Sequence, residues 1–306
     1  MRIAYFPIKT VYTVVLFRAM ARILEKRLIR QPDVFFFKLS APLISRKAKP
    51  GQFVIIRLHD RGERIPLSLA DIDPREGTIS LIVMAVGKTT HEMALLKQGD
   101  DILDLCGPLG QPTHIECVGR VVLVGGGFGV APLYPIARAF KAAGNEVTVI
   151  MGARSKDLLI YEQEMLRTAD RVIVTTDDGS KGAKGLVTDA LTKELGCRPA
   201  GLVLCVGPAI MMKFVAASTQ PLGVRTVVSL NPIMVDGTGM CGGCRVMVGG
   251  ETRFACVDGP EFDGHLVDWE SLMNRQKSYT AEEKESFEAW KKRHDRMLGS
   301  ASPVCE

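Results

Sequence analysis

The sequence predicts a small antiparallel β-barrel, then an α/β domain with a doubly wound parallel sheet, then a small C-terminal domain carrying clustered cysteines. Three observations predict this order. Up to about Cys117, short β-rich runs alternate with turn residues and leave room for one helix. From Arg120 the pattern changes to apolar strands alternating with helical stretches. After Asn231-Pro232, three of the chain's eight cysteines fall in one glycine-rich stretch.

The totals suit this reading. A chain of 306 residues holds two or three domains with cores of their own. Hydrophobic residues make up 46% and charged residues 24%, which are ordinary globular values. A net charge of +5 is too small to argue for nucleic-acid binding. No run of 18 or more apolar residues is present, so no transmembrane segment is expected. Cysteines at ligand spacing argue for reduced thiols and a cytoplasmic chain rather than a disulfide scaffold. Residues 1–20 read as a dispensable extension upstream of a start at Met20, with a weak export signal as the alternative.

In the barrel, expected over 21–117, strands are predicted at Val34–Leu39, Phe53–Leu58, Thr78–Val83 and Asp101–Leu105, with a helix near His91–Lys97. Ala48-Lys49-Pro50-Gly51 and Asp71-Ile72-Asp73-Pro74 read as turns. Arg64-Ile65-Pro66-Leu67-Ser68 has an arginine spaced to meet a phosphate or flavin edge and a hydroxyl to bond the flavin's reactive nitrogen. A solvated strand-end arginine is the plain alternative. Ile82-Val83-Met84 runs through Gly87-Lys88 into Thr89-Thr90 and opens a helix. Such an N-terminus suits a pyrophosphate, and a simple N-cap by either threonine explains it equally.

The α/β domain is expected over 118–229. Val121-Val122-Leu123-Val124 is apolar throughout, as a strand covered on both faces is. It leads into Gly125-Gly126-Gly127-Phe128-Gly129-Val130-Ala131-Pro132 and a helix, the strand–glycine–helix logic of dinucleotide binding. The glycines do not fall as G-x-G-x-x-G. Further strands end at Gly152-Ala153-Arg154, at Thr176-Asp177-Asp178-Gly179 and at Cys205-Val206-Gly207-Pro208. Each triplet alone reads as a turn; in a doubly wound sheet all three edge one crevice. Asp177 and Asp178 disfavour a 2′-phosphate, which leans the cofactor toward NAD(H) over NADP(H).

The segment over 230–269 carries Asp236, Cys241, Cys244 and Cys256, spaced D-x4-C-x2-C-x11-C. A plant-type [2Fe–2S] site runs C-x4-C-x2-C…C, so this ladder has an oxygen donor on its first rung. Zinc held by the same four residues, or inert buried thiols, are the alternatives at this point. His265 is weighed as a surrogate ligand. The tail over 270–306 includes a helix from Thr280, with a capping box to Glu283 and with Phe287 and Trp290 placed to dock it.

Taken together, R-I-P-L-S, G-K-T-T, G-G-G-F-G-V-A-P, C-V-G-P and the cysteine ladder resemble the ferredoxin–NADP reductase superfamily, in its dihydroorotate dehydrogenase electron-transfer-subunit branch. The likeness runs from Met20 to Trp269. That branch has Cys where this chain has Asp236. The departure is similar to the small subunit of NADH-dependent reduced ferredoxin:NADP⁺ oxidoreductases, also described as sulfide dehydrogenases, in which one Asp and three Cys hold a [2Fe–2S] cluster.

The resemblance implies an FAD barrel, an NAD domain and a [2Fe–2S] domain in an oxidoreductase subunit that exchanges hydride between NAD(H) and FAD and passes single electrons to the cluster. It implies that Arg64, Pro66, Leu67, Ser68, Ile82, Val83, Met84, Gly87, Thr89 and Thr90 serve FAD. It implies that Gly126, Gly127, Gly129 and Cys205 face NAD(H), and the shared crevice adds Val130, Ala131, Gly152, Arg154, Asp177, Asp178, Gly207 and Pro208 as cofactor-binding positions. Ser68 and Cys205 are the expected catalytic positions, and Asp236, Cys241, Cys244 and Cys256 the metal ligands. The implied partners are ferredoxin and, in a heterodimer, a larger flavoprotein with [4Fe–4S] clusters similar to a glutamate synthase small subunit, coupled by electron bifurcation. The alternatives are the electron-transfer subunit of an NAD-dependent dihydroorotate dehydrogenase and a zinc-stabilised nucleotide-sensing module.

Overall fold

The computed structural model describes residues 17–30 and 33–299. Six antiparallel strands close a barrel: β1 (Phe17–Arg30), β2 (Val34–Ser40), β3 (Phe53–Arg57), β4 (Ile65–Asp73), β5 (Thr78–Met84) and β6 (Asp101–Leu109), in the order β1-β2-β5-β4-β3-β6. Alternate residues fill it, with Ile23, Phe37, Leu39, Val54, Ile56, Leu69, Ile79 and Leu81 buried together. A short helix α1 (Pro42–Ser45) adds Ile44 to this cluster, and α2 (Lys88–Leu95) lies between β5 and β6 in the chain.

The first strand corrects the sequence reading. Met20 lies inside β1, whose Phe17, Arg18 and Ala19 pair with Gly107, Cys106 and Leu105. The extension expected over 1–20 therefore keeps only its first sixteen residues, which lie outside those described. Ala21 and Ile23 point into the barrel while charged neighbours such as Arg22 and Glu25 do not, so the strand reads locally as a polar segment. Asp71 to Asp73 also belong to β4, and the reversal comes after them.

The second domain is built from β7 (Arg120–Gly126), α3 (Val130–Ala142), β8 (Glu146–Ala153), α4 (Glu162–Thr168), β9 (Arg171–Thr176), β10 (Ala183–Lys184), α5 (Val187–Cys197), β11 (Leu202–Val206), α6 (Ala209–Thr219) and β12 (Thr226–Ser229). Val121 and Leu123 pack with Leu133, Ile136 and Phe140 of α3 on one face. Val122 and Val124 pack with Leu191 of α5 and with Met212 and Val215 of α6 on the other. Burial on both faces is the physical reason that the run lacks polar alternation.

The C-terminal part contains the hairpin β13 (Arg245–Val248) and β14 (Glu251–Phe254), the strand β15 (Glu261–Asp263), and helices α7 (Trp269–Gln276) and α8 (Thr280–Gly299). β15 pairs antiparallel with β12 and completes a seven-stranded sheet of order β10-β9-β8-β7-β11-β12-β15. The segment expected as a separate unit over 230–269 thus leaves the sheet at β12 and returns to its edge. Its buried Met234, Cys244, Val246, Ala255 and Cys256 share one apolar cluster with Phe53, Ile55 and Leu109 of the barrel wall and with α5 and α6. Where a capping box was expected, Thr280 donates to the Lys277 carbonyl at 3.0 Å and the Glu283 amide bonds the Tyr279 carbonyl.

Candidate active site

Barrel and sheet enclose a cleft of about 1190 Å³ at the C-terminal ends of the parallel strands. That exceeds the usual size of a single small-molecule pocket. Pro66, Leu67 and Ser68 of β4 and Ile82 and Met84 of β5 form its barrel side, with Ser68 exposed. Gly126, Gly127 and Gly129, followed by Ala131, form its sheet side. Gly152, Arg154, Asp177, Gly207 and Pro208 rim it from the ends of β8, β9 and β11. Six segments distant in sequence therefore converge as the strand pattern implied.

The glycine loop is shaped by contact as well as by any ligand. A Cβ on Gly129 would lie 2.3 Å from the Val206 carbonyl oxygen, so only a bare backbone fits between β11 and the start of α3. That close approach puts the N-terminus of α3, a thirteen-residue helix, at the cleft, where it suits a phosphate.

Other expected positions lie elsewhere. Val83 is buried inside the barrel and Val130 beneath the glycine loop. Cys205 is fully buried, facing the α5–α6 side with Val203, and burial pushes its thiol far up. It presents no surface to the cleft, because alternation along β11 turns it into the core. Asp178 binds the Ser180 amide and hydroxyl and stands outside the cleft lining.

At α2 neither threonine is the N-cap: Gly87 holds that position, and Thr90, three residues into the turn, reaches back to it. The Thr90 hydroxyl accepts from the Val86 and Gly87 amides and donates to the Gly87 carbonyl. The Thr89 hydroxyl donates to Glu63 at 2.7 Å, and Lys88 meets the same carboxylate at 3.1 Å. Burial works to raise the Glu63 pKa, but the bonds from Thr89 and Lys88 outweigh it and hold the carboxylate below its usual range. Gly87, Thr89 and Thr90 thus sit beside the cleft rather than in its wall. Phe53, Phe128, Met234 and Pro260 do line it and were not singled out from the sequence; the strand-end position of Phe53 and the G-F-G setting of Phe128 were the available signals.

The four donors of the C-terminal loop gather as two pairs. Asp236 Oδ1 is 3.3 Å from Cys241 Sγ, and Cys244 Sγ is 3.2 Å from Cys256 Sγ. Asp236 also accepts from the Thr238 amide and hydroxyl and from the Cys241 amide, which fixes its carboxylate. Two thiols as close as Cys244 and Cys256 share a proton, which drives Cys244 down to about 6 and Cys256 up. Among the described residues no group of three or more His, Cys, Asp or Glu surrounds one metal position. Two donors for each of two irons match a binuclear cluster better than a single zinc ion. His265 is bonded to Thr219 at 3.0 Å, at the sheet edge and away from these donors.

The loop rests on β3 and β6 of the barrel. Gly237 has φ +77°, and a Cβ there would lie 2.7 Å from Ile55 Cδ1 and 2.8 Å from Leu109 Cδ1. Arg64 does not face the cleft; its Nε donates to the Val235 carbonyl at 3.2 Å.

Comparison with known proteins fits this geometry. Residues 231–268 match the iron–sulfur cluster binding domain of dihydroorotate dehydrogenase B, and residues 123–217 match the oxidoreductase NAD-binding domain. A Thermotoga maritima protein described as a dihydroorotate dehydrogenase B (NAD⁺) electron transfer subunit homolog is 55% identical over 260 residues, covering 85% of this chain and 92% of that one. The chain belongs to this electron-transfer-subunit family.

Within the family, the Desulforamulus reducens dihydroorotate dehydrogenase B (NAD⁺) electron transfer subunit is 32% identical, over 78% of this chain and 94% of its own. A solved structure of NADH-dependent reduced ferredoxin-NADP oxidoreductase, described in connection with flavin-based electron bifurcation, has a chain 50% identical with a TM-score of 0.84, covering 92% of this chain and 98% of that one. The ferredoxin reductase of carbazole 1,9a-dioxygenase, at 19% identity, 70% and 68% coverage and TM-score 0.60, shares the fold. The chain is an oxidoreductase electron-transfer subunit whose cofactors are FAD, a [2Fe–2S] cluster and NAD(H). No helix among the described residues is long and apolar enough to cross a membrane.

Proposed function

We propose that the chain is the small subunit of an NADH, NADP(H) and ferredoxin oxidoreductase of the electron-bifurcating type, working in the cytoplasm in a heterodimer with a larger flavoprotein that carries [4Fe–4S] clusters and is similar to a glutamate synthase small subunit. The observation that carries this reading is the pairing of Asp236 with Cys241, a carboxylate where the dihydroorotate branch has a thiolate. The 50% identity to the bifurcating oxidoreductase chain supports it.

Bound to this chain, FAD supplies the conversion between hydride and single electrons, and the [2Fe–2S] cluster supplies a one-electron site. Ser68, exposed on the cleft wall, would donate a hydrogen bond to the flavin, and Pro66, Leu67 and Phe53, which line the same wall, would keep water from it. Gly126, Gly127, Gly129 and the start of α3 take the NAD(H) diphosphate. Asp177 repels a 2′-phosphate and so favours NAD(H). Asp236, Cys241, Cys244 and Cys256 would hold the cluster, the first two as one pair of donors and the last two as the other. The carboxylate is a harder donor than a thiolate and raises the cluster potential, so Asp236→Cys lowers the midpoint; an unchanged or higher midpoint in that variant counts against the assignment.

The deciding experiment is anaerobic preparation of the full chain with iron, sulfide and flavin analysis and a visible spectrum before and after NADH. A brown protein that bleaches with NADH is expected; material without iron and sulfide removes the electron-relay reading. The 32% identity to a dihydroorotate dehydrogenase electron transfer subunit supports a second reading with a different partner. Co-purification of a large iron–sulfur flavoprotein, rather than a dihydroorotate-oxidising subunit, separates the two.

A further inference from the structure

Two arginines from different parts of the chain hold the backbone of the donor loop. Arg64, immediately before β4, donates from Nε to the Val235 carbonyl at 3.2 Å. Arg275, on α7, donates from Nη2 to the Gly243 carbonyl at 3.1 Å. Val235 directly precedes Asp236 and Gly243 directly precedes Cys244. Each guanidinium therefore holds the carbonyl just upstream of a donor, one arginine for each donor pair. Among the described residues neither arginine forms an ion pair. Arg275 Nε is buried with no hydrogen-bond partner.

A buried donor left without an acceptor is destabilising, so its place beside this loop calls for a reason. The reason lies in charge. Two ferric ions, two sulfides, three thiolates and a carboxylate sum to a net negative group, which becomes more negative on reduction. Cations that no carboxylate neutralises lower the cost of the added electron.

We propose that Arg64 and Arg275 are positioning residues of the iron–sulfur loop that also raise its reduction potential, Arg64 from the flavin strand and Arg275 from α7. This rests on Asp236, Cys241, Cys244 and Cys256 being the cluster donors. Arg64 then ties the Asp236–Cys241 half of the loop to the same strand that presents Ser68, and Arg275 orients the Cys244–Cys256 half. Neither residue touches a reacting atom.

The test uses full-length Arg275→Gln, Arg275→Lys, Arg64→Gln and Arg64→Lys, each prepared anaerobically and assayed for iron, sulfide and FAD. The readouts are the EPR signal of the reduced cluster, its midpoint potential and the melting temperature of cluster-free protein. Each Gln variant is expected to lower the midpoint and change the EPR signal, with Lys recovering most of the potential. Gln variants that keep the wild-type midpoint and EPR signal overturn the proposal, even if they melt earlier, since packing alone accounts for that. Arg64→Gln that loses FAD but keeps the cluster potential assigns Arg64 to the flavin and overturns its half. Wild-type chain without iron or sulfide overturns the donor assignment itself, a different failure from an intact cluster indifferent to both arginines.

Discussion

Where β15, the linker after β6 and the turn at Gly51 meet, the Glu261 carboxyl lies in the interior and accepts from the Thr113 hydroxyl at 2.6 Å. Burial pushes its pKa up to about 7, against the opposing hydrogen bond from Thr113. The native state therefore binds more protons than the unfolded chain between the ordinary carboxylate pKa and about 7, so stability falls as pH rises through that window and stays lower above it. Glu261→Gln keeps the acceptor and removes the ionisation. It is expected to flatten this slope and to be more stable than wild type at pH 8 by on the order of 2 kcal/mol, read from urea unfolding at pH 6 and pH 8 with matched cofactor content. An unchanged slope would assign the pH dependence elsewhere. At Gly129, the added Cβ of an alanine meets the Val206 carbonyl, so Gly129→Ala is expected to cost roughly 1–3 kcal/mol and to weaken NADH binding at least tenfold, measured by titration. The glycine loop was legible because strand, glycines and helix are contiguous in sequence. The burial of Cys205 depends on which way β11 alternates against its neighbours, and the fate of the Thr89 hydroxyl on Glu63, a partner twenty-six residues away. Local text carries neither.

At the scale of elements, α7 and α8 divide in the same way. Asp268 caps α7 by accepting from the Ser271 amide at 3.0 Å. The sequence reading gave a tail over 270–306 with a helix from Thr280 but did not single out α7, since a short helix of mixed polarity gives little periodic signal. Asp268→Ala is expected to cost about 1 kcal/mol, seen as an earlier thermal transition. The docking role of Phe287 and Trp290 was readable from their spacing, but not what they dock on. Their rings lie 4.6 and 5.9 Å from that of His91 on α2, and the Ser286 hydroxyl reaches Glu63, which also holds Thr89. Helix α8 thus braces α2, the helix whose first turn is the K-T-T of the G-K-T-T motif. Replacing Phe287 and Trp290 together with alanine is expected to speed FAD loss several-fold, followed by the fluorescence of released flavin. Retention equal to wild type would leave α8 a purely peripheral brace.

Across the whole molecule, the linker after β6 stitches the C-terminal part to the barrel. The Gln111 amide and side chain bond the Gly259 and Val257 carbonyls, and the Thr113 amide bonds that of Pro50. A chain ending at Leu230 would strip β15 from β12 and uncover Phe53, Ile55 and Leu109, so it is expected to aggregate, as size-exclusion chromatography would reveal, rather than persist as a two-domain reductase. Linear reading placed the cysteine region after the α/β domain because its donors follow β12. Only the antiparallel pairing of β15 shows that it is spliced into that domain's sheet. The splice bears on ancestry and on engineering alike. A module whose entry and exit are both fastened to one host is inherited with that host, and a chimera that transplants the cysteine loop must bring β12 and its edge strand as the socket.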